Sequence, residues 1–229
     1  MKYPGRIIKA GEPDANIVKT LKVRLNKALS TDNDPSLRLD PADANFGPKM
    51  KQTVKLFQSR NVDPDGRPLK QDGEVGSITW AVLFGNNAVP RSDVAATPLL
   101  SRVVQTAAGE EAKQVRELPK NSNRGPEVDE YLRRTGASSG LSWCCAFVYW
   151  CFDEAAKQLG SANPMVRTAG CLDHWRRAPD KGAKRIAKQE ALDNPGLVKP
   201  GMVFIMDHGG GLGHTGLVEK VSGGLLTTI

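Results

Sequence analysis

Three histidines and four cysteines are all that this 229-residue chain offers of the two side chains that do much of enzyme chemistry near neutral pH. Aromatic residues are sparse too, at 6%, so each one in a motif carries weight. No apolar run approaches the roughly 18 residues of a helical membrane span. The opening stretch Met1-Lys2-Tyr3-Pro4-Gly5-Arg6-Ile7-Ile8-Lys9 has no apolar core of signal-peptide length. Such a chain is expected to be made in the cytoplasm and, if it acts outside in the cell wall or periplasm, to leave by a route that reads no such signal.

Four cysteines do not make a disulfide scaffold in a chain of this size. Cys144 and Cys151, placed on one helix, would stand about 10 Å apart at 1.5 Å per residue, beyond the roughly 7 Å reach of a disulfide between Cα atoms. Free thiols are expected. The glycine run 209–213 lacks the lysine and Ser/Thr of a phosphate loop and leads into a strand, so no nucleotide or other cofactor is expected. Lysine and arginine number 32 against 25 acidic residues, a net charge of +7, which points to an acidic partner such as an anionic membrane or wall polymer. Residues 1–96 hold 15 basic and 11 acidic side chains and the remainder 17 and 14. The excess is therefore not gathered in one arm, and no nucleic-acid motif accompanies it; a nucleic-acid partner is not expected.

Helical periodicity opens the chain. Ile17, Val18, Leu21, Leu25 and Leu29 fall on one face, and Asp32-Asn33-Asp34-Pro35 ends the pattern. Pro48 suits the first turn of a second helix that buries Val54 and Phe57. After the turn signals Pro64-Asp65-Gly66 and Asp72-Gly73, Ser77 is placed to cap a third helix bearing Trp80, Val82 and Leu83. Phe46-Gly47-Pro48, Val54, Phe57-Gln58, Asp72-Gly73, Val75-Gly76 and Thr79-Trp80 together resemble the three-helix peptidoglycan-binding domain of bacterial wall hydrolases, over roughly residues 10 to 86. That resemblance implies peptidoglycan as a partner. Phe57 and Trp80 are read as core residues. The domain is taken as residues 1–90, with a linker at 91–97.

Residues 98–229 form the second domain. A helix is expected over Val103 to Arg116, another from Pro126 to about Arg134 with Val128, Tyr131 and Leu132 inside, then a loop from Gly136 to Gly140. Ser142 is read as the N-cap of an apolar helix beginning at Cys144. On that helix Cys144, Val148, Cys151, Phe152 and Ala155 share one face, while Cys145, Tyr149 and Asp153 share a more polar one. Met202–Met206 reads as a buried strand, His214 to Val221 as a second, and Leu225 onward as a third after a turn at Ser222-Gly223-Gly224. Helices followed by an antiparallel sheet give an α+β class.

A thiol at a helix N-terminus sits among unpaired N–H groups and a partial positive charge, which favour thiolate and can hold an oxyanion. Cys144 is therefore the candidate nucleophile, with Cys145 the alternative and Cys151 and Cys171 read as inert. A base must come from the three histidines. His214 starts a strand and is held by its ladder, His208 lies on the glycine loop, and His174 reads as an exposed or capping residue of a helix. A zinc site from Asp207, His208, His214 and a cysteine is the rival chemistry, although the paired-ligand spacing of such sites is missing.

Asn123-Arg124-Gly125-Pro126, Trp143-Cys144 with Ala146-Phe147-Val148, Pro200-Gly201 and Gly213-His214-Thr215-Gly216 resemble the cysteine- and histidine-dependent amidohydrolase/peptidase (CHAP) family, over about residues 105 to 225. The resemblance implies a papain-like fold, like that of other bacterial wall amidases and endopeptidases, with nucleophile Cys144 and base His214. It also implies a third, orienting residue on the strand after the histidine strand; counted across the turn, that position falls two or three residues past Ile229. Asp207 and Glu219 are weak substitutes. The expected protein is thus a peptidoglycan amidase or endopeptidase without metal or cofactor. It is expected to be a monomer, carried as a phage endolysin or as an injected antibacterial effector with its secretion machinery and immunity protein. The alternative is a catalytically idle wall-binding protein.

Overall fold

The computed structural model describes residues 1–229, the side chain of Asp32 excepted. Among the described residues the chain forms eight α-helices and one three-stranded antiparallel sheet, an α+β architecture. No helix among them is long and apolar enough to cross a membrane. The chain divides into two compact units. The first comprises Met1–Arg91, Lys188–Leu197 and Ser222–Leu225; the second comprises Ser92–Ala187, Val198–Val221 and Leu226–Ile229.

The first unit is built on α1 (Ala15–Ala28), α2 (Pro48–Arg60) and α3 (Ser77–Phe84). Asp14 caps α1, its carboxylate accepting the N–H groups of Asn16 and Ile17. Ile17, Val18, Leu21 and Leu25 are buried along one stripe, as their spacing predicts. Pro48 opens α2 at a position where its missing N–H costs nothing. The cap of α3 is Gly76, with Ser77 as the first helical residue and buried, so the serine cap expected there is not made. Trp80 is fully buried and stacks on Phe84 at 4.5 Å. An isolated bridge between Ile8 and Val75 ties the N-terminal segment to the segment before α3.

The second unit holds α4 (Pro98–Ala112), α5 (Pro126–Thr135), α6 (Cys144–Gln158) and α7 (Cys171–Arg177), with strands β1 (Val203–Gly209), β2 (Leu212–Ser222) and β3 (Leu225–Thr228) in the order β1-β2-β3. The short helix α8 (Lys188–Asp193) belongs to the first unit. Thr97 caps α4 and Pro98 opens it, five residues ahead of the expected start. Val103 and Ala107 of α4, Val148, Cys151, Phe152 and Ala155 of α6, and Leu217 of β2 form one buried cluster. Tyr131, Leu132 and Val128 of α5 close a second against Ala146.

Strand β1 is not the buried strand its sequence suggests: Val203, Phe204 and Ile205 are half-buried and the rest is exposed. Its register against β2 pairs Phe204 with Gly216 and Met206 with His214. A bulge between Asp207 and Gly209 leaves His208 outside the ladder, and Gly210 and Gly211, both at positive φ, make the two-residue turn. The β2–β3 turn is Gly223-Gly224, with Ser222 still in the strand, and Leu217 exchanges both backbone hydrogen bonds with Ile229.

Candidate active site

The N-cap position of α6 is occupied by Trp143, in helical conformation and with no side-chain cap bond; Ser142 is exposed and one residue too early. The first intrahelical bond runs from Phe147 N–H to Trp143 C=O, so the N–H groups of Cys144, Cys145 and Ala146 precede the regular ladder. Cys144 is the first residue of the helix and half-buried. Cys145 departs from the expectation of a more polar face. It is 1% exposed, its Sγ lies 3.5 Å from the Thr168 carbonyl, and burial pushes its thiol up to about 12. Cys151 is fully buried and its thiol is likewise raised by burial. Cys171 begins α7 and is buried as well, so all four thiols are free and only one of them is partly open.

His214 projects from β2 as an exposed side chain, its ring 5.9 Å from that of Phe204. The preceding Gly213 cannot be enlarged: a Cβ there would meet the Met206 carbonyl at 2.6 Å and Cys171 Sγ at 2.8 Å. The glycine lets β2 lie against the start of α7 next to the histidine. His174 is buried in the last turn of α7, with Nδ1 unpartnered among the described residues, contrary to the exposed or capping role expected of it. Burial holds its imidazole below the ordinary histidine range.

Cys144 and His214 line one cleft of about 520 Å³, together with Glu110, Glu117, Tyr131, Trp143 and Thr215. Cys145, Cys151, Cys171, His174 and His208 are absent from its walls. A larger hollow of about 670 Å³ in the first unit, between Lys2, Tyr3 and residues 87–91, contains neither cysteine nor histidine. The zinc set of Asp207, His208, His214 and a cysteine is not brought together: among the described residues no three Asp, Glu, His or Cys side chains converge as metal ligands. Asp207 accepts the N–H of Gly209 and Glu219 is exposed, and neither lines the cleft.

Sequence reasoning overlooks the carboxylates of this cleft. Glu110 is buried on the apolar stripe of α4, where it accepts Tyr131 Oη at 2.5 Å and Lys113 Nζ at 2.5 Å. A carboxylate seven residues after Val103 and three after Ala107 on one helical face is the available signal. Glu117, in the loop between α4 and α5, accepts Trp143 Nε1 at 2.9 Å and Asn123 N–H at 3.2 Å. The indole donor, followed by the loop N–H groups, holds its carboxyl below the usual carboxylate range. No sequence pattern marks it.

Residues 136–229 match the family model of the CHAP domain, and residues 14–83 match that of a peptidoglycan binding domain. The chain carries both domains. The CHAP match begins after Asn123–Pro126, while the peptidoglycan-binding match lies within the stretch picked out by its glycines and aromatics. No curated protein and no solved structure gives a significant match. A CHAP domain joined to a peptidoglycan-binding domain makes this a cell-wall hydrolase, of the peptidoglycan amidase or peptidase class, with peptidoglycan as its partner.

Proposed function

We propose that the protein cleaves an amide bond of peptidoglycan with Cys144 as nucleophile and His214 as general base. The observation that carries this reading is the shared cleft: the one half-open thiol, at the start of α6, and an exposed imidazole line the same cavity. His214 takes the proton of the Cys144 thiol, and the thiolate adds to the scissile carbonyl carbon. N–H groups at the helix start receive the oxyanion. As the C–N bond breaks, the imidazolium returns its proton to the leaving amine. Water, activated by the neutral imidazole, then hydrolyses the thioester and regenerates the thiol.

The peptidoglycan-binding domain keeps the enzyme on an insoluble substrate by raising its local concentration. The scissile bond is either muramoyl to L-alanine or a peptide bond of the stem or cross-bridge. Digestion of purified murein followed by mass spectrometry distinguishes these by the new termini: free lactyl carboxylates for an amidase, and new amino termini within the peptides for an endopeptidase. Two carriers suit such an enzyme, a phage endolysin and an injected antibacterial effector. A cognate immunity protein that binds this chain and blocks its hydrolysis selects the effector. Digestion that is abolished by iodoacetamide and insensitive to chelators supports the cysteine chemistry; the reverse pattern points to zinc.

A further inference from the structure

The N-terminus of α6 lacks the cap that its sequence calls for. Trp143 stands at the cap position and has no hydroxyl or carboxylate with which to bond the first turn. What holds it lies 26 residues earlier. Its indole N–H donates to Glu117 Oε1 at 2.9 Å, and its ring lies 6.0 Å from Tyr131 and 6.2 Å from Phe147. Glu117 is itself fixed from the other side. Its Oε2 accepts Asn123 N–H at 3.2 Å, while Ser122 N–H donates to the Pro119 carbonyl at 3.2 Å. Asn121 and Asn123 both have positive φ, at 63° and 53°. Left-handed residues in a short loop can turn a backbone N–H toward an anion. Here the anion is the protein's own carboxylate.

Glu117 thus joins the Asn123 N–H of this loop to the residue immediately before Cys144, and it lines the same cleft. With one donor on each oxygen, the carboxylate limits how the indole can turn, and Trp143 is the residue through which the chain enters α6. We infer that Glu117 is a positioning residue: it clamps Trp143 and thereby sets Cys144 at the helix start toward the cleft. The inference rests on Cys144 being the nucleophile, and it assigns Glu117 no contact with substrate. A displacement of about 1 Å at a reacting atom costs on the order of 10²-fold in rate, so a loosened clamp is read in kcat rather than in KM.

The test uses the full chain with Glu117→Gln, which keeps the size of the side chain but sets an amide NH₂ against the Asn123 N–H or the indole N–H, and Trp143→Phe, which keeps one aromatic ring and removes the indole N–H together with the five-membered ring that carries it. Two rates are followed, hydrolysis of soluble muropeptides and iodoacetamide alkylation of Cys144 read by peptide mass spectrometry, alongside thermal unfolding. The expected result is a fall in kcat of about 10²-fold in each variant. KM should be little changed, the Cys144 alkylation rate altered, the unfolding midpoint near that of the parent, and the double variant no worse than either single one. Unchanged kcat and alkylation in both variants, a rise in KM alone, or losses that merely follow the unfolded fraction would overturn the clamp. Because alkylation reports on Cys144 without hydrolysis, a parent chain that still digests murein after Cys144→Ala would refute the nucleophile reading separately from the clamp.

Discussion

Gln58 in the first unit and Cys144 in the second show two ways of placing a polar side chain at a helix. Gln58 is 2% exposed, and its amide is matched on both sides: Nε2 donates to Asp72 Oδ1 and the Glu74 carbonyl, and Oε1 accepts Gly73 N–H at 2.9 Å. Lys22, equally buried, reaches both the carbonyl and the carboxylate of Asp43 at 2.7 Å. In the cleft, Cys144 is half-buried and His214 exposed, while the groups behind them, Glu110 with Tyr131 and Glu117 with Trp143, are bonded. The first unit uses its polar groups to hold its own loops together. The second keeps two groups open and fixes the ones around them, which is the arrangement the proposed pair of Cys144 and His214 needs.

The largest effect that separates these regions is chemical. Cys144→Ala and His214→Ala are each expected to lower murein hydrolysis by at least about 10³-fold with near-parental unfolding temperatures, and the double variant should be little worse than either. His208→Ala, outside the ladder and the cleft, should be mild; if it proved as damaging as His214→Ala, the assignment of the base would fail. Next in size, Gln58→Ala should cost about 1–3 kcal/mol of stability by stranding Gly73 N–H and its neighbours, while soluble muropeptides are turned over at the parental rate below the melting point. A loss of turnover without a loss of stability would blur the contrast between the two units. Cys145→Ala sharpens it within a single helix turn. Adjacent to Cys144 but buried, it should lower stability by about 1 kcal/mol and leave most of the activity.

The smallest expected effect is the pH response of His174. Burial lowers its folded-state pKa below that of the unfolded chain, so the unfolded state takes up the proton first. Its contribution is present at neutral pH and is lost as the pH falls from about 6.5 through the folded value. Unfolding midpoints measured between pH 7.5 and 5.5 should fall less in His174→Leu than in the parent; parallel slopes would remove His174 from the account.

How far the sequence alone reaches differs between the same two regions. Helix α1 follows from Ile17, Val18, Leu21 and Leu25, because a stripe that buries only its own face needs little knowledge of the rest of the chain. The pair Cys144 and His214 is legible as a motif, and the two residues do line one cleft. The two serine caps fail for different reasons. At Ser77 the helix starts one residue earlier than a cap would allow, with the serine buried. At Ser142 the chain is held through Trp143 by a carboxylate 26 residues away, which local propensity does not see. The helical neighbours Tyr149 and Asp153 put Cys145 on a polar face. The segment at Thr168 covers it nonetheless, a packing partner that no periodicity within α6 reveals. Glu117 leaves no trace in the sequence because its partners are one backbone N–H and an indole, which form no recognisable spacing.

The most direct measurement of the central claim is partial inactivation of the full chain by iodoacetamide, with the occupancy of each of the four cysteines read by mass spectrometry at every time point. The account predicts that loss of murein hydrolysis tracks alkylation of Cys144 one to one while Cys145, Cys151 and Cys171 remain unmodified. Full activity with Cys144 quantitatively alkylated, or a loss that follows one of the buried thiols instead, would contradict it.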